Sequence, residues 1–119
     1  MIIRGATQKS FAVPVTAAQY APEVLYLNGP QDGTKALDIL DQLVLLIPAI
    51  VATAIVEIDL GRPGIANPGI ADANYYLAAI THNTAGYKGN LLSAGWGGGA
   101  RIRVKSGGTA GTQVIGVTW

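Results

Sequence analysis

The sequence predicts an all-β protein, a two-sheet β-sandwich of jelly-roll-like winding. Three observations carry that expectation. Apolar and polar residues alternate in several short runs. Clusters of Gly, Pro, Asn and Asp separate those runs. No Gly-rich turn joins a strand to a long helix, which disfavours a Rossmann-like fold. A period of two sends successive side chains to opposite faces of a strand, so one face is buried and the other meets water.

The elements follow in order. Ile2-Ile3 and Ser10 to Val15 read as short extended pieces, and Pro14 confines the second to a sheet edge or an arm. Residues 1–22 are expected to be an extended N-terminal arm or edge strand, and residues 23–119 the sandwich domain. Ala17 to Pro22 reads as a connector, Glu23 to Leu27 as a strand, and Asn28-Gly-Pro-Gln-Asp-Gly33 as a turn. Thr34 to Ile47 carries both helical and strand spacing. Its Leu-Val-Leu-Leu-Ile core favours a strand over about Ile39 to Ile47, closed by Pro48. In Ala54-Ile-Val-Glu-Ile-Asp-Leu60, Val56, Ile58 and Leu60 face in, and Glu57 and Asp59 face out.

A Gly- and Pro-rich loop runs from Gly61 to Ile70. Asn74 to Ile80 reads as a strand, Thr81 to Gly89 as a polar turn, and Leu91-Leu92 as a short extended piece. Trp96-Gly-Gly-Gly99 leads into the last segment. There Ala100 to Lys105 and Thr112 to Trp119 read as a β-hairpin about the turn Ser106 to Gly111. Ile102 and Val104 share one face of its first strand, and Arg101, Arg103 and Lys105 the other. Ile115, Val117 and Trp119 share a face of the second. Trp96, Ile102, Val104, Val117 and Trp119 are expected in the core or at an interface.

Composition narrows the function. A chain of 119 residues is one domain, large enough to fold without staples. It has no cysteine, so disulfides, thiolate zinc sites and cysteine nucleophiles are excluded. A net charge of +1 with 13% charged residues gives no electrostatic footprint for nucleic acid. Half of the residues are apolar and mean hydropathy is positive, which fits a surface partly hidden against neighbours. Met1-Ile-Ile-Arg4 shows no basic n-region followed by a long apolar run, so no secretory signal is expected. The fifteen uncharged residues from Gln42 to Val56 fall short of the ~20 that a membrane helix needs, so no membrane association is expected.

The catalytic inventory is thin. His82 lies in a polar stretch and reads as a solvated loop residue. Ser93 lacks the leading glycine of a nucleophile elbow. Glu57 and Asp59, two apart, could do acid–base work, but read better as the wet face of a half-buried strand. Arg101, Arg103 and Lys105 then pair with them across the sheet or across a subunit boundary. Asp38 and Asp41 lack calcium-loop spacing and read as caps. Gly95-Trp96-Gly97-Gly98-Gly99 lacks the ending of a phosphate loop and reads as a sharp crossing between sheets, with Trp96 as its anchor. Tyr75, Tyr76, Tyr87 and Trp96 could line a sugar platform, but core or interface packing is the better use. No catalytic residue, metal site or cofactor is expected.

The segments Glu23-Val-Leu-Tyr-Leu-Asn28, the strand pair Leu43 to Leu60 joined through Pro48-Ala-Ile-Val-Ala-Thr53, and the Gly-rich ending from Ala100 to Trp119 carry a resemblance. In pattern and composition the chain resembles the small β-sandwich decoration (cement) proteins of tailed-bacteriophage capsids. The resemblance implies a virion structural protein and no enzyme. It would be made in the host cytoplasm and bound to the outer capsid surface, where it stabilises joints between major capsid proteins. It also implies a homo-oligomer, with a trimer favoured. The residues expected at its interface are Arg101, Arg103, Lys105, Glu57, Asp59 and Trp96. The alternative is a carbohydrate-binding or tail/adaptor structural module of a phage.

Overall fold

A computed structural model describes residues 6–27, 42–47, 50, 53–62, 65, 68–82, 88–93 and 99–118. Two four-stranded antiparallel sheets pack face to face, as the alternating runs predict. The strands are β1 (Ala6–Val13), β2 (Leu25–Leu27), β3 (Gln42–Leu46), β4 (Ile55–Gly61), β5 (Tyr75–His82), β6 (Lys88–Ser93), β7 (Ala100–Lys105) and β8 (Gly111–Thr118). The first sheet has the order β1-β8-β3-β6 and the second β2-β7-β4-β5. First pairs with last, second with seventh, third with sixth and fourth with fifth. The chain therefore runs as one long doubled ribbon with the β4–β5 hairpin at its tip. The β3–β8 and β4–β7 ladders close the two sheets.

The core lies between the sheets. Phe11, Val13, Ile115 and Val117 point into it from the first sheet, and Val56, Ile58, Ala100, Ile102 and Val104 from the second, with Ile47, just past β3, buried among the core residues. These are the alternate residues of their strands, so the period-two reading of the buried face holds at β4, β7 and β8. Ile102, Val104 and Val117 are buried as expected; Trp96 and Trp119 lie outside the described residues.

Three expectations need correction. Ala100–Lys105 and the last strand do not form a hairpin, because β7 belongs to the second sheet and β8 to the first. Each alternates because each lays one face on the shared core, and alternation does not specify a hydrogen-bonding partner. The segments either side of Pro48 likewise go to opposite sheets, so β3 and β4 are not paired. Third, His82 ends strand β5 opposite Val56, half-buried, and is not a loop residue.

Of the two readings of the N-terminal segment, residues 6–13 take the edge strand. β1 pairs with β8 along its whole length and ends just before Pro14, which could not continue the ladder. Residues 1–5 lie outside the described residues, as do Asp38 and Asp41. The β6–β7 connection does cross between sheets, and Gly99 enters β7 with φ 74°, a conformation that favours glycine. Gln42–Leu46 is a strand inside a sheet, and no helix among the described residues is long and apolar enough to cross a membrane.

Candidate functional site

The outer face of the second sheet holds an ionic cluster. The β4–β7 ladder sets Glu57 opposite Arg103 and Asp59 opposite Arg101, with Lys105 one diagonal step from Glu57. Strand geometry alone thus brings two acids and three bases to one face. That face is not wet. Glu57, Asp59 and Arg101 are buried, and Arg103 and Lys105 are half-buried. This corrects the expectation that Glu57 and Asp59 face water. A run of alternate charges is spelled the same whether the face meets solvent or a covering layer.

The cover comes from two segments. Between β1 and β2, Ala18 and Ala21 donate backbone hydrogen bonds to the carbonyls of Ser106 and Val104, and Tyr20 bridges Lys105. The tyrosine ring therefore lies over the bases, 4.2 Å from the Arg103 guanidinium. Its hydroxyl donates to Glu57 Oε1 at 2.6 Å. Burial and that hydrogen bond hold the Tyr20 phenol above its ordinary value. On the other side, residues 68–74 and a single 3-10 turn at Asp72–Asn74 close over Arg101. The Tyr75 ring lies 4.4 Å from that guanidinium.

Asp59 is the hub. Its Oδ2 accepts from Arg101 Nε at 2.6 Å, and Arg103 Nε stands 2.9 Å from the same oxygen without the angle of a hydrogen bond. Its Oδ1 accepts the backbone N–H of Ala78 at 2.7 Å. Arg101 reaches onward to the Ile70 carbonyl at 3.0 Å and to Asp72 Oδ1 at 2.5 Å. Lys105 Nζ lies 2.9 Å from Glu57 Oε2, and that bond raises the Lys105 pKa. Burial opposes the charge on Arg101, but Asp72 and Asp59 outweigh it and hold its pKa above the ordinary value. The same contact with Arg101 lowers the Asp72 carboxyl. Three carboxylates thus face three cations, and the cluster carries no net charge.

Such a cluster is a cross-link. It ties the β1–β2 connector, the sheet and the 68–74 loop together, and both acids are engaged by cations under a tyrosine lid. Among the described residues, no group of His, Cys, Asp or Glu is placed to hold a metal ion. His82 lies opposite Val56 at the end of β5, and its burial lowers its pKa.

What the cluster positions is the backbone of the 68–74 loop and of the β5 bulge. Tyr75 Oη donates to the Gly69 carbonyl at 2.6 Å, Asn74 Nδ2 to Pro68 at 2.9 Å, and Arg62 Nε to Ala73 at 3.1 Å. Together with Arg101 on Ile70 they hold the loop by its backbone. Ile70 projects from it 77% exposed, and on β5 Leu77 is 47% and Tyr76 42% exposed. The β4–β5 register shifts between Ile58 and Leu60, and Ala78 in this bulge has φ 49°, pinned by Asp59. Buried charge and a strained alanine therefore fix the backbone at Ile70 and next to Leu77, two exposed apolar residues.

Of the expected interface residues, the structure brings together Arg101, Arg103, Lys105, Glu57 and Asp59; Trp96 lies outside the described residues. Tyr75 is buried against Arg101 on the outer face of the second sheet, outside the inter-sheet core, and Tyr76 stands at the surface with Arg62 4.4 Å from its ring. Sequence reasoning missed Tyr20, Ile70 and Leu77. The legible signal was the matched spacing of two acids and three bases; nothing local marked Tyr20 as their cover. No family model, curated protein or solved structure matches this chain.

Proposed function

We propose that the chain is a virion structural protein, a decoration protein that binds the outer face of an assembled capsid. It acts as a homo-oligomer that bridges joints between major capsid proteins. We read the nested strand order as a jelly roll. The observation that supports the function is the pair of exposed apolar side chains Ile70 and Leu77, each beside a backbone group fixed from beneath. A contact surface ordered before binding loses little entropy on docking, so modest area suffices when many copies act together. The charges beneath it are neutralised within the chain, which suits an uncharged apolar joint.

Co-sedimentation with tailed-phage shells stripped of their own decoration protein tests the reading. The expected result is saturable binding that raises the temperature at which shells rupture. Ile70→Asp combined with Leu77→Asp should abolish it while the folding midpoint stays unchanged. Absence of binding at saturating protein would overturn the proposal. Glycan-array binding lost on Tyr76→Ala would favour the carbohydrate alternative instead.

A further inference from the structure

An edge strand offers unpaired N–H and C=O groups to any second chain, and proteins blunt such edges by bulges, breaks or short length. Of the four sheet edges among the described residues, three are blunted. β5 carries the Ala78 bulge, β2 is three residues long, and the β3–β6 register shifts between Leu43 and Val44. The fourth, β1, is not. It runs eight residues in unbroken register with β8, without proline, and Lys9 is its one charged residue.

The outward groups of β1 can be identified. Glu23 Oε1 accepts the Ala12 N–H at 2.5 Å, so the N–H of Ala12 points away from β8. Backbone direction alternates along a strand, so Gln8 and Ser10 also point their N–H and C=O groups outward. Both residues are exposed, and among the described residues no chain lies against that edge. Glu23 caps the edge at Ala12 and leaves the stretch Ala6 to Ser10 open.

We propose that this stretch pairs with the same stretch of a second copy, antiparallel about a two-fold axis at Gln8. The two first sheets then continue into one. In this register Gln8 faces Gln8 of the second copy, Ala6 faces Ser10, and Thr7 faces Lys9. Three facts select it. A two-fold at Thr7 would pair only Ala6 to Gln8, a shorter ladder than Ala6 to Ser10. A two-fold at Lys9 would oppose like charges, which is destabilising. A two-fold at Lys9 or at Ser10 would also bring Ala12 into the ladder and displace Glu23. The occupant is a second copy because the open stretch is self-complementary under this one operation. The symmetry is two-fold, where the resemblance had favoured a trimer. The pairing deepens the homo-oligomer part of the proposed function without resting on capsid binding.

The absence of cysteine makes the test clean. Across a hydrogen-bonded antiparallel pair the two Cα atoms at position 8 stand roughly 5.5 Å apart, within disulfide reach. The two Ala12 positions stand roughly 26 Å apart at ~3.3 Å per residue. Gln8→Cys should give a covalent dimer under mild oxidant, at a rate on the order of tenfold above Ala12→Cys. Gln8→Pro removes an outward N–H and leaves the β8 ladder intact, so it should turn the dimer into a monomer by light scattering with the β spectrum retained. Equal cross-linking at both positions, or a monomeric wild type at millimolar concentration, would overturn the proposal. Should Gln8→Pro fail to fold, the cysteine pair decides alone. Loss of capsid binding in the Ile70 and Leu77 variant with cross-linking intact would separate the two surfaces.

Discussion

Asp59 on β4 and Arg101 on β7 oppose each other in the strand ladder, with Oδ2 of the one 2.6 Å from Nε of the other and both side chains buried. Around this pair the molecule ties its second sheet to the segments that cover it. Its further contacts, to the Ala78 N–H and the Ile70 carbonyl, fix the β5 bulge and the 68–74 loop.

Breaking one half of a buried pair leaves the other charge uncompensated. Asp59→Asn should therefore cost about 3–5 kcal/mol of unfolding free energy. Asp72 touches the same arginine, but its side chain is mostly exposed and screened by solvent, so Asp72→Asn should cost far less than Asp59→Asn. Urea denaturation of the two variants checks the ranking, and equal losses would refute the hub role of Asp59.

Lys105 and Tyr20 both gain from Glu57, and both have raised values in the folded protein. A raised value means the contribution is complete below the ordinary pKa, 10.5 for Lys105 and 10.0 for Tyr20, and is lost as pH climbs through the folded value. Stability should thus fall on the alkaline side. In the Tyr20→Phe and Lys105→Met variants that fall should shrink. Denaturation midpoints taken across the alkaline range, with tyrosinate absorbance for Tyr20, give the measurement.

Ala78 sits in the left-handed region with φ 49°. Glycine relieves that strain, worth roughly 1–2 kcal/mol, and a β-branched side chain worsens it. Thermal stability at position 78 should rank Gly above Ala above Val. An ordinary strand position gives the reverse order, so the ranking alone tests the bulge.

The β7–β8 connection passes close over residue 53. A Cβ on Gly107 would collide with the side chain and the carbonyl oxygen of Thr53. Gly107→Ala should cost about 1–3 kcal/mol. Thr53→Ala should restore little of it, because the backbone oxygen remains. Full rescue in the double variant would show that the clash involves the side chain alone.

The local pattern carried a good deal. Ile102 and Val104, or Val56 and Ile58, show their shared face by spacing alone, and the core uses that face. The acids at 57 and 59 and the bases at 101, 103 and 105 announced a cross-strand match, which the ladder delivers.

Partner choice was not legible. β7 and β8 look like two arms of a hairpin, yet each pairs with strands far away in sequence.

By itself, the sequence determined that the chain forms strands and which residues of each share a face, because side-chain direction alternates within a single strand. Only the tertiary structure decided that Ala100–Lys105 and Gly111–Thr118 part into opposite sheets, and that Tyr20 and residues 68–74 roof the charged face. Pairing and cover depend on segments distant in the chain, whose meeting is settled by the packing of the whole and leaves no mark on local spacing.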